Sequence, residues 1–204
     1  MTTSTADSSY DYDIGQAERI VLAAIRAGDR RGVAQQDHLW VQKIAFLFLR
    51  LMEQSEGRAG VEGEGYAPHD YGPYSEEVVG ALDNLLSMKL LSEGPGKTFK
   101  PSPAGALLAD SILASKDQAR QAIESILDVI AGLSAREIIL YVYATSPEWA
   151  EESVVRDVLQ DRAARLALAK KLFVGGKISE SRAAQIAGVP LSELHGRLGE
   201  SHVE

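Results

Sequence analysis

The chain has 204 residues, no cysteine and a net charge of −8. The absence of cysteine excludes disulfides and thiolate chemistry, and we therefore expect a cytoplasmic protein. No apolar run is long enough to predict a membrane span. The charge is uneven, because residues 1–159 hold 14 Lys+Arg against 24 Asp+Glu, whereas residues 160–204 hold 7 against 5. An acidic body disfavours binding nucleic acid through bulk electrostatics, so any DNA contact is expected from the C-terminal part.

The predicted elements, taken in chain order, are mostly helices. Residues 1–13 are polar and acidic, without a basic or apolar stretch, and are predicted to be a disordered tail. Hydrophobic periodicity predicts helices over residues 14–27, 38–53, 75–89, 103–113, 118–131 and 135–144, with 148–174 largely helical. Strands over 90–92 and 98–100 flank a tight turn. The predicted fold class is mainly α: a winged-helix domain with a small two-stranded wing over 14–157, then a helical C-terminal helix-turn-helix segment over 158–204.

Residues 177–199 carry the pattern of the helix-turn-helix. Ser179 can cap a short helix with an alanine-rich face, Gly188 ends it, and Pro190 prevents its continuation. A second helix follows, with leucines at positions 191, 194 and 198. Small helical hairpins also pack in this way without touching DNA, so a structural role stays open.

Predicted DNA contacts lie on exposed positions of this segment and on the wing. Arginine and glutamine suit phosphates and base edges, whereas Glu193 counts against a simple phosphate-binding face. The candidates are Arg182, Gln185, Ser192, His195 and Arg197, together with Lys97 and Lys100 of the wing.

A second candidate surface surrounds the turn at residues 71–75. Tyr71 and Tyr74, with Glu76 and Glu77 at the start of the next helix, are candidate partner-binding residues. The alternative is that the tyrosines pack the helix start onto the core. The acidic residues disfavour phosphate contact, so this helix is expected to bind protein rather than read bases.

The residues do not predict catalysis, a metal or a cofactor. Residues 96–98 match the end of a phosphate-binding loop, but Leu91 stands where that loop needs glycine, and a wing turn is favoured. No two histidines share a metal-ligand spacing, and no nucleophile, base and orienting group form a recognisable set. We therefore expect a non-enzymatic protein.

Two segments of the chain resemble known families. The Tyr-Gly-Pro-Tyr-Ser segment at 71–75, followed by a helix and a hairpin, resembles a prokaryotic winged-helix family, the YwgA-like group, which is related in layout to Panacea antitoxin domains. The upstream LWVQKIAFLF and the downstream YVYATSPEWAEESVVRD resemble that family's flanking segments, with Ser146 replacing its usual tyrosine. The resemblance covers about residues 35–157.

The C-terminal residues 160–199 resemble a different family, the UPF-type group of small antitoxin-like proteins. The matching positions are Lys177, Ile178, Ser179, Ala183, Ala184, Ala187, Gly188 and Leu198, and Leu194 replaces a common phenylalanine. Together the resemblances imply an antitoxin-like regulator, for which we expect a homodimer bound to DNA at an operator. The alternative is an adaptor or antitoxin that binds a partner toxin or other protein without reading DNA.

Overall fold

The computed structural model describes residues 12–55, 65–115 and 117–199, so the predicted tail at 1–13 lies almost wholly outside the described residues. The described chain is mainly helical with one small antiparallel sheet, as predicted. The elements are α1 Gln16–Arg30, α2 His38–Ser55, α3 Glu76–Ser87, β1 Leu91–Gly94, β2 Thr98–Pro101, α4 Pro103–Ser115, α5 Asp117–Ile130, α6 Ala135–Thr145, α7 Arg162–Val174, α8 Glu180–Ala187 and α9 Leu191–Gly199.

Side-chain caps fix several helix starts where the sequence places them. The carboxylate of Asp37 accepts from Trp40 N at 2.9 Å at the start of α2, and Ser75 Oγ accepts from Val78 N at 3.4 Å at the start of α3. Ser134 and Glu137 form a reciprocal capping box at α6. These partners satisfy amide groups that a helix leaves without an internal acceptor.

The segment at 148–174 is less regular than a single helix. Two short 3₁₀ turns, Pro147–Ala150 and Arg156–Gln160, precede α7, which begins only at Arg162 with Asp161 as its cap. Between the turns, the amide of Val154 donates to the carbonyl of Asp70 at 3.1 Å. The amide of Val154, which lies before the start of α7, thus finds its acceptor in a residue distant in sequence.

The two strands form the predicted hairpin, with Leu91 opposite Pro101 and Gly94 opposite Thr98. A 3₁₀ turn, Pro95–Lys97, connects them, and Gly96 adopts a φ of 70° in it. Phe99 points into the core, and its amide donates to the carbonyl of Gln36 at 2.8 Å. The hairpin is thereby attached to the connection between α1 and α2.

Buried apolar side chains form two clusters. The first cluster contains side chains from helices α1 through α5 and from the hairpin. The second contains side chains from helices α6 through α9, together with Phe46 of α2. Helix α6 contributes to both, since Ile138 belongs to the first and Tyr143 to the second. The terminal helices therefore pack directly on the body of the protein, with α8 against α6 and α7. None of the described helices combines the length and apolarity needed to cross a bilayer.

Candidate functional site

The terminal helices α8 and α9 are joined by the sharp turn that the sequence predicts. Ser179 Oγ accepts from Arg182 N at 3.3 Å at the start of α8, and Gly188 ends the helix in the left-handed conformation with a φ of 69°. Ala183, Ala184 and Ala187 are buried. Their small side chains allow the close helix approach that a short turn requires.

Arg165 of α7 holds the end of α8 in place. Its Nε donates to the carbonyl of Ile186 at 2.7 Å and its Nη2 to the carbonyl of Gln185 at 3.0 Å. A third bond, from Nη1 to the carbonyl of Leu159 at 3.3 Å, connects the same guanidinium to the preceding 3₁₀ turn. Burial lowers the pKa of Arg165, but arginine stays charged at any physiological pH.

Helix α9 exposes most of its surface. Leu194 is buried beneath it, whereas Ser192, Glu193, His195 and Arg197 are exposed. His195 is 71% exposed, and its Nε2 lies 2.5 Å from a carboxylate oxygen of Glu180 on α8. Its imidazole therefore already has an acidic partner on this face.

A groove of about 580 Å³ runs between the start of α7 and the start of α9. Arg162, Arg165 and Arg197 line it together with a single acid, Glu193. Arg165 donates hydrogen bonds to the carbonyls of α8. Among the described contacts, Arg162 and Arg197 are the two arginines of the groove that make no such bonds. The exposed face of α9 thus continues into a cationic edge of α7.

Arg182 and Gln185 lie elsewhere on the terminal helices. Arg182 Nη1 donates to Gln185 Oε1 at 3.0 Å, and Gln185 Nε2 donates to the carbonyl of Thr145 on α6 at 3.4 Å. Arg182 lines a cavity between α8 and the body, whose lining shares no residue with the groove beside Arg197. Arg182 and Arg197 therefore line different concavities of the terminal helices.

The wing candidates lie on the hairpin of the first cluster. Lys97 occupies the turn with a φ of 56°, and Lys100 is an exposed residue of β2. The hairpin packs against α1 and α4, whereas α9 packs against α7 and α8. Lys97 and Lys100 thus lie on a different part of the fold from the five candidates of the terminal helices.

Buried polar residues of α2 hold the turn at 71–75. Gln42 exchanges two hydrogen bonds with the backbone of Ser75, at 2.9 and 3.0 Å, and Lys43 Nζ donates to the carbonyl of Pro73 at 2.9 Å. Lys43 is only 3% exposed, and desolvation lowers its pKa to about 8. The turn is therefore part of the interior framework and not a loose loop.

The turn is also in direct contact with α6. A Cβ built on Gly72, whose φ is 88°, would lie 2.5 Å from the ring of Tyr143. The hydroxyl of Tyr143 donates to Ser153 Oγ at 2.5 Å, and Ser153 Oγ donates to the carbonyl of Asp70 at 2.8 Å. These contacts bring the segment after α6 onto the turn.

The candidate partner-binding residues differ in exposure. Tyr74 is half-buried and stacks on the exposed His69 with ring centroids 4.8 Å apart. Tyr71 is 49% exposed, and Glu76 and Glu77 are exposed at the start of α3. The exposed members are therefore Tyr71 and the two glutamates.

Sequence reasoning did not single out Lys43, Arg50 or Arg165. Lys43 stands on an otherwise apolar helix face, and that is a signal that could have marked it as a buried charge. Arg50 and Arg165 act through groups distant in sequence, for which the local pattern carries no signal.

Within the described ranges, no group of three or more His, Asp and Glu side chains is placed to hold a metal ion. No protein-family model and no curated protein sequence matches this chain. Any functional conclusion therefore rests on the chain's own residues.

Proposed function

We propose that the protein is an antitoxin-like DNA-binding regulator that docks on an operator through a C-terminal helix-turn-helix formed by α8 and α9. The observation that carries the proposal is the exposure of α9 beside the cationic edge of α7. In a helix-turn-helix, the second helix enters the major groove while neighbouring elements contact the backbone. Helix α9 has the required accessibility, because Leu194 anchors it from one side only.

The side chains near α9 suit this role in different ways. Arg197 and Ser192 are hydrogen-bonding groups for base edges or phosphates, and Arg162 extends the cationic surface onto α7. His195 can turn from Glu180 towards a phosphate, since the imidazole is largely exposed. Glu193 limits the affinity for phosphates and would favour sequence-dependent contacts over non-specific ones.

The body would serve as the dimerising or partner-binding part of a winged-helix-like regulator. A dimer is expected because one nine-residue helix reads few bases, and two half-sites multiply the specificity. The exposed acids of α3, Glu76, Glu77 and Asp83, make that helix unsuitable for the groove. Lys97 and Lys100 remain predicted phosphate contacts from the hairpin.

The test is binding of the full chain to DNA from upstream of its own coding sequence, compared with a shuffled sequence of equal length. Fluorescence anisotropy over a series of salt concentrations should show tighter binding to the upstream DNA and a linear fall of log affinity with log salt. A complex that forms equally well on both DNAs, or no complex at low salt, would contradict the proposal. Sedimentation of free and bound protein tests the dimer.

A second candidate function, binding of a partner protein such as a toxin, is favoured by a specific surface. Val154 is 66% exposed and Tyr71 49% exposed, and the amide of Val154 is bonded to the carbonyl of Asp70, the neighbour of Tyr71. The bond therefore brings the backbone segments of two exposed apolar residues together. Exposed aromatic residues of this kind are enriched at protein interfaces.

Co-expression with the proteins encoded next to this chain tests the second candidate. A partner that uses this surface should co-purify with the parent and be lost with Tyr71→Ser or Val154→Ser, whereas Leu107→Ser, at an exposed apolar residue of α4, should retain it. Retention of the partner by all three variants would remove this surface from consideration. Co-purification of the partner protein in the absence of DNA would favour the adaptor function over the operator-binding one.

A further inference from the structure

A cavity of about 300 Å³ lies between the body and the start of α8. Helices α2, α5 and α6 form one side of it, and the segment from Lys177 to Arg182 forms the other. A volume of this size is at the lower end of the range for small-molecule sites. The cavity is separate from the groove beside Arg197, so its role does not depend on DNA binding.

The cavity is cationic. Arg50, Lys177 and Arg182 contribute to its lining, and none of its described lining residues is an aspartate or a glutamate. This is notable in a chain whose net charge is −8. Asp128 interacts with Lys177, but its carboxylate is already paired with Arg31. Arg182, whose described partner is the neutral side chain of Gln185, adds a charge that no described acid pairs with.

Arg50, on the cavity wall, is incompletely paired. Its Nε is fully buried and has no hydrogen-bond partner among the described residues. Its terminal nitrogens reach Glu148 at 3.4 Å and Glu53 at 3.9 Å, which are long distances for charged pairs. The Nε is closed off from solvent, so a ligand in the cavity would meet the terminal nitrogens of Arg50, whose contacts with the two glutamates are long.

The remaining lining combines an apolar floor with hydroxyl groups. Leu47, Ile126, Val129 and Ile130 supply the floor, and the hydroxyl-bearing residues are Ser125, Tyr141, Thr145, Ser146 and Ser179. A ligand that fills the cavity therefore needs an apolar part as well as an anionic head. A bare inorganic ion would leave the apolar surface uncovered.

We propose that this cavity binds a small organic phosphate, with its phosphate between Arg50, Lys177 and Arg182 and a ring-sized apolar group on the floor formed by α2 and α5. Three cationic side chains match a dianionic phosphate better than a single carboxylate. Because the lining comes from both α8 and the body, the bound molecule would connect the terminal helices to the body.

The test is isothermal titration calorimetry on the full chain with phenyl phosphate, inorganic phosphate and phenol as probes. Phenyl phosphate should bind saturably, at least ~10-fold more tightly than either of the others. Equal binding of phenol would show an apolar site without anion recognition, and equal binding of inorganic phosphate would show a site without an apolar subsite. Either result, or no saturable binding of phenyl phosphate up to ~10 mM, overturns the proposal.

Variants locate the binding. Lys177→Gln and Arg182→Gln should each weaken the binding of phenyl phosphate by about 10–150-fold, which is the value of a charge-assisted hydrogen bond. Lys177 is exposed, so its substitution is expected to leave folding intact, which circular dichroism checks. Arg120→Gln, at an exposed arginine of α5 outside the cavity lining, is the matched control and should bind like the parent. Parent-like binding by both Lys177→Gln and Arg182→Gln overturns the assignment.

Discussion

The guanidinium of Arg165 lies directly over the Cα of Gly188. A Cβ built on that glycine would stand 2.5–2.7 Å from the guanidinium atoms, and the same group donates to the carbonyls of Gln185 and Ile186. The glycine therefore meets two requirements, a left-handed backbone and room for the arginine that satisfies the carbonyls at the end of α8.

Gly188→Ala is accordingly expected to destabilise the terminal helices by about 2–3 kcal/mol, since the left-handed conformation costs about 1 kcal/mol and displacement of Arg165 adds the remainder. Gly176→Ala is the matched control, because Gly176 has a φ of 65° but nothing within 4 Å of a built Cβ. It should cost only about 1 kcal/mol. Hydrogen exchange of the α8 and α9 amides measures both.

A double-mutant cycle isolates the contact. In an Arg165→Ala background the alanine at 188 has no guanidinium to displace, so its cost should fall towards that of Gly176→Ala. Equal costs for Gly188→Ala with and without Arg165 would show that the backbone conformation alone requires the glycine.

Substitution by alanine is expected to change the stability of the fold in opposite directions at two helical glycines. A Cβ on Gly105, near the start of α4, would overlap the carbonyl oxygen of Leu90, whereas a Cβ on Gly80, in the exposed interior of α3, meets nothing within 4 Å. Gly105→Ala should destabilise the fold by at least about 2 kcal/mol, because backbone must move. Gly80→Ala should stabilise it by about 0.5–1 kcal/mol through helix propensity. Urea unfolding measures both changes in the free energy of unfolding. If both substitutions change it in the same direction, the close approach at Leu90 is contradicted.

Lys43 makes stability depend on pH in the alkaline range. Desolvation lowers its pKa from 10.5 to about 8 in the folded protein. Between these values the unfolded chain binds more protons than the folded one, so stability rises as the pH increases, by about 1–2 kcal/mol from pH 8 to 9.5. Well below pH 8, where the lysine is protonated in both states, this contribution is flat.

Lys43→Met should remove that rise, and urea unfolding of parent and variant at both pH values measures the difference. The comparison stays below pH 10 because burial raises the pKa of Tyr66, Tyr141 and Tyr143, whose titration in the unfolded chain opposes the lysine. An equal pH slope in parent and variant would show that Lys43 is charged and solvated in the folded protein.

Local patterns predicted the elements, because caps and breakers act within a few residues. The caps Ser75 and Ser179, the turn at Gly188 and the hairpin around Gly96 are all where the sequence indicates. The site was less predictable. The periodicity of α8 marks Arg182 as exposed, but only the packing of α8 on α6 turns it towards the cavity.

Long-range contacts account for the remainder. Lys43 meets Pro73 and Arg165 meets Ile186 across 30 and 21 residues, and neither partner offers a side chain that a sequence pattern could reveal. The cavity likewise combines residues of α2, α5 and α6 with the start of α8. Its cationic character exists only after folding, in a chain that is acidic overall.

The separation of Arg197 from Arg182 allows the docking face to be tested. If α9 enters the major groove, Arg197→Ala should cost about 1–3 kcal/mol at the preferred sequence. Arg162→Ala, at the edge of α7, should weaken all sequences alike and reduce the salt dependence by about one unit. Arg120→Ala, at an exposed arginine of α5, controls for the loss of one positive charge.

Arg182→Ala decides between the two faces of the terminal helices. Since Arg182 lines the cavity and bonds to Gln185, its removal should leave DNA affinity close to that of the Arg120→Ala control. Anisotropy titrations of the four variants on upstream and shuffled DNA give the answer. A loss with Arg182→Ala and none with Arg197→Ala would mean that DNA meets the body-facing side of α8, which α6 now covers, and the proposed docking of α9 would be wrong.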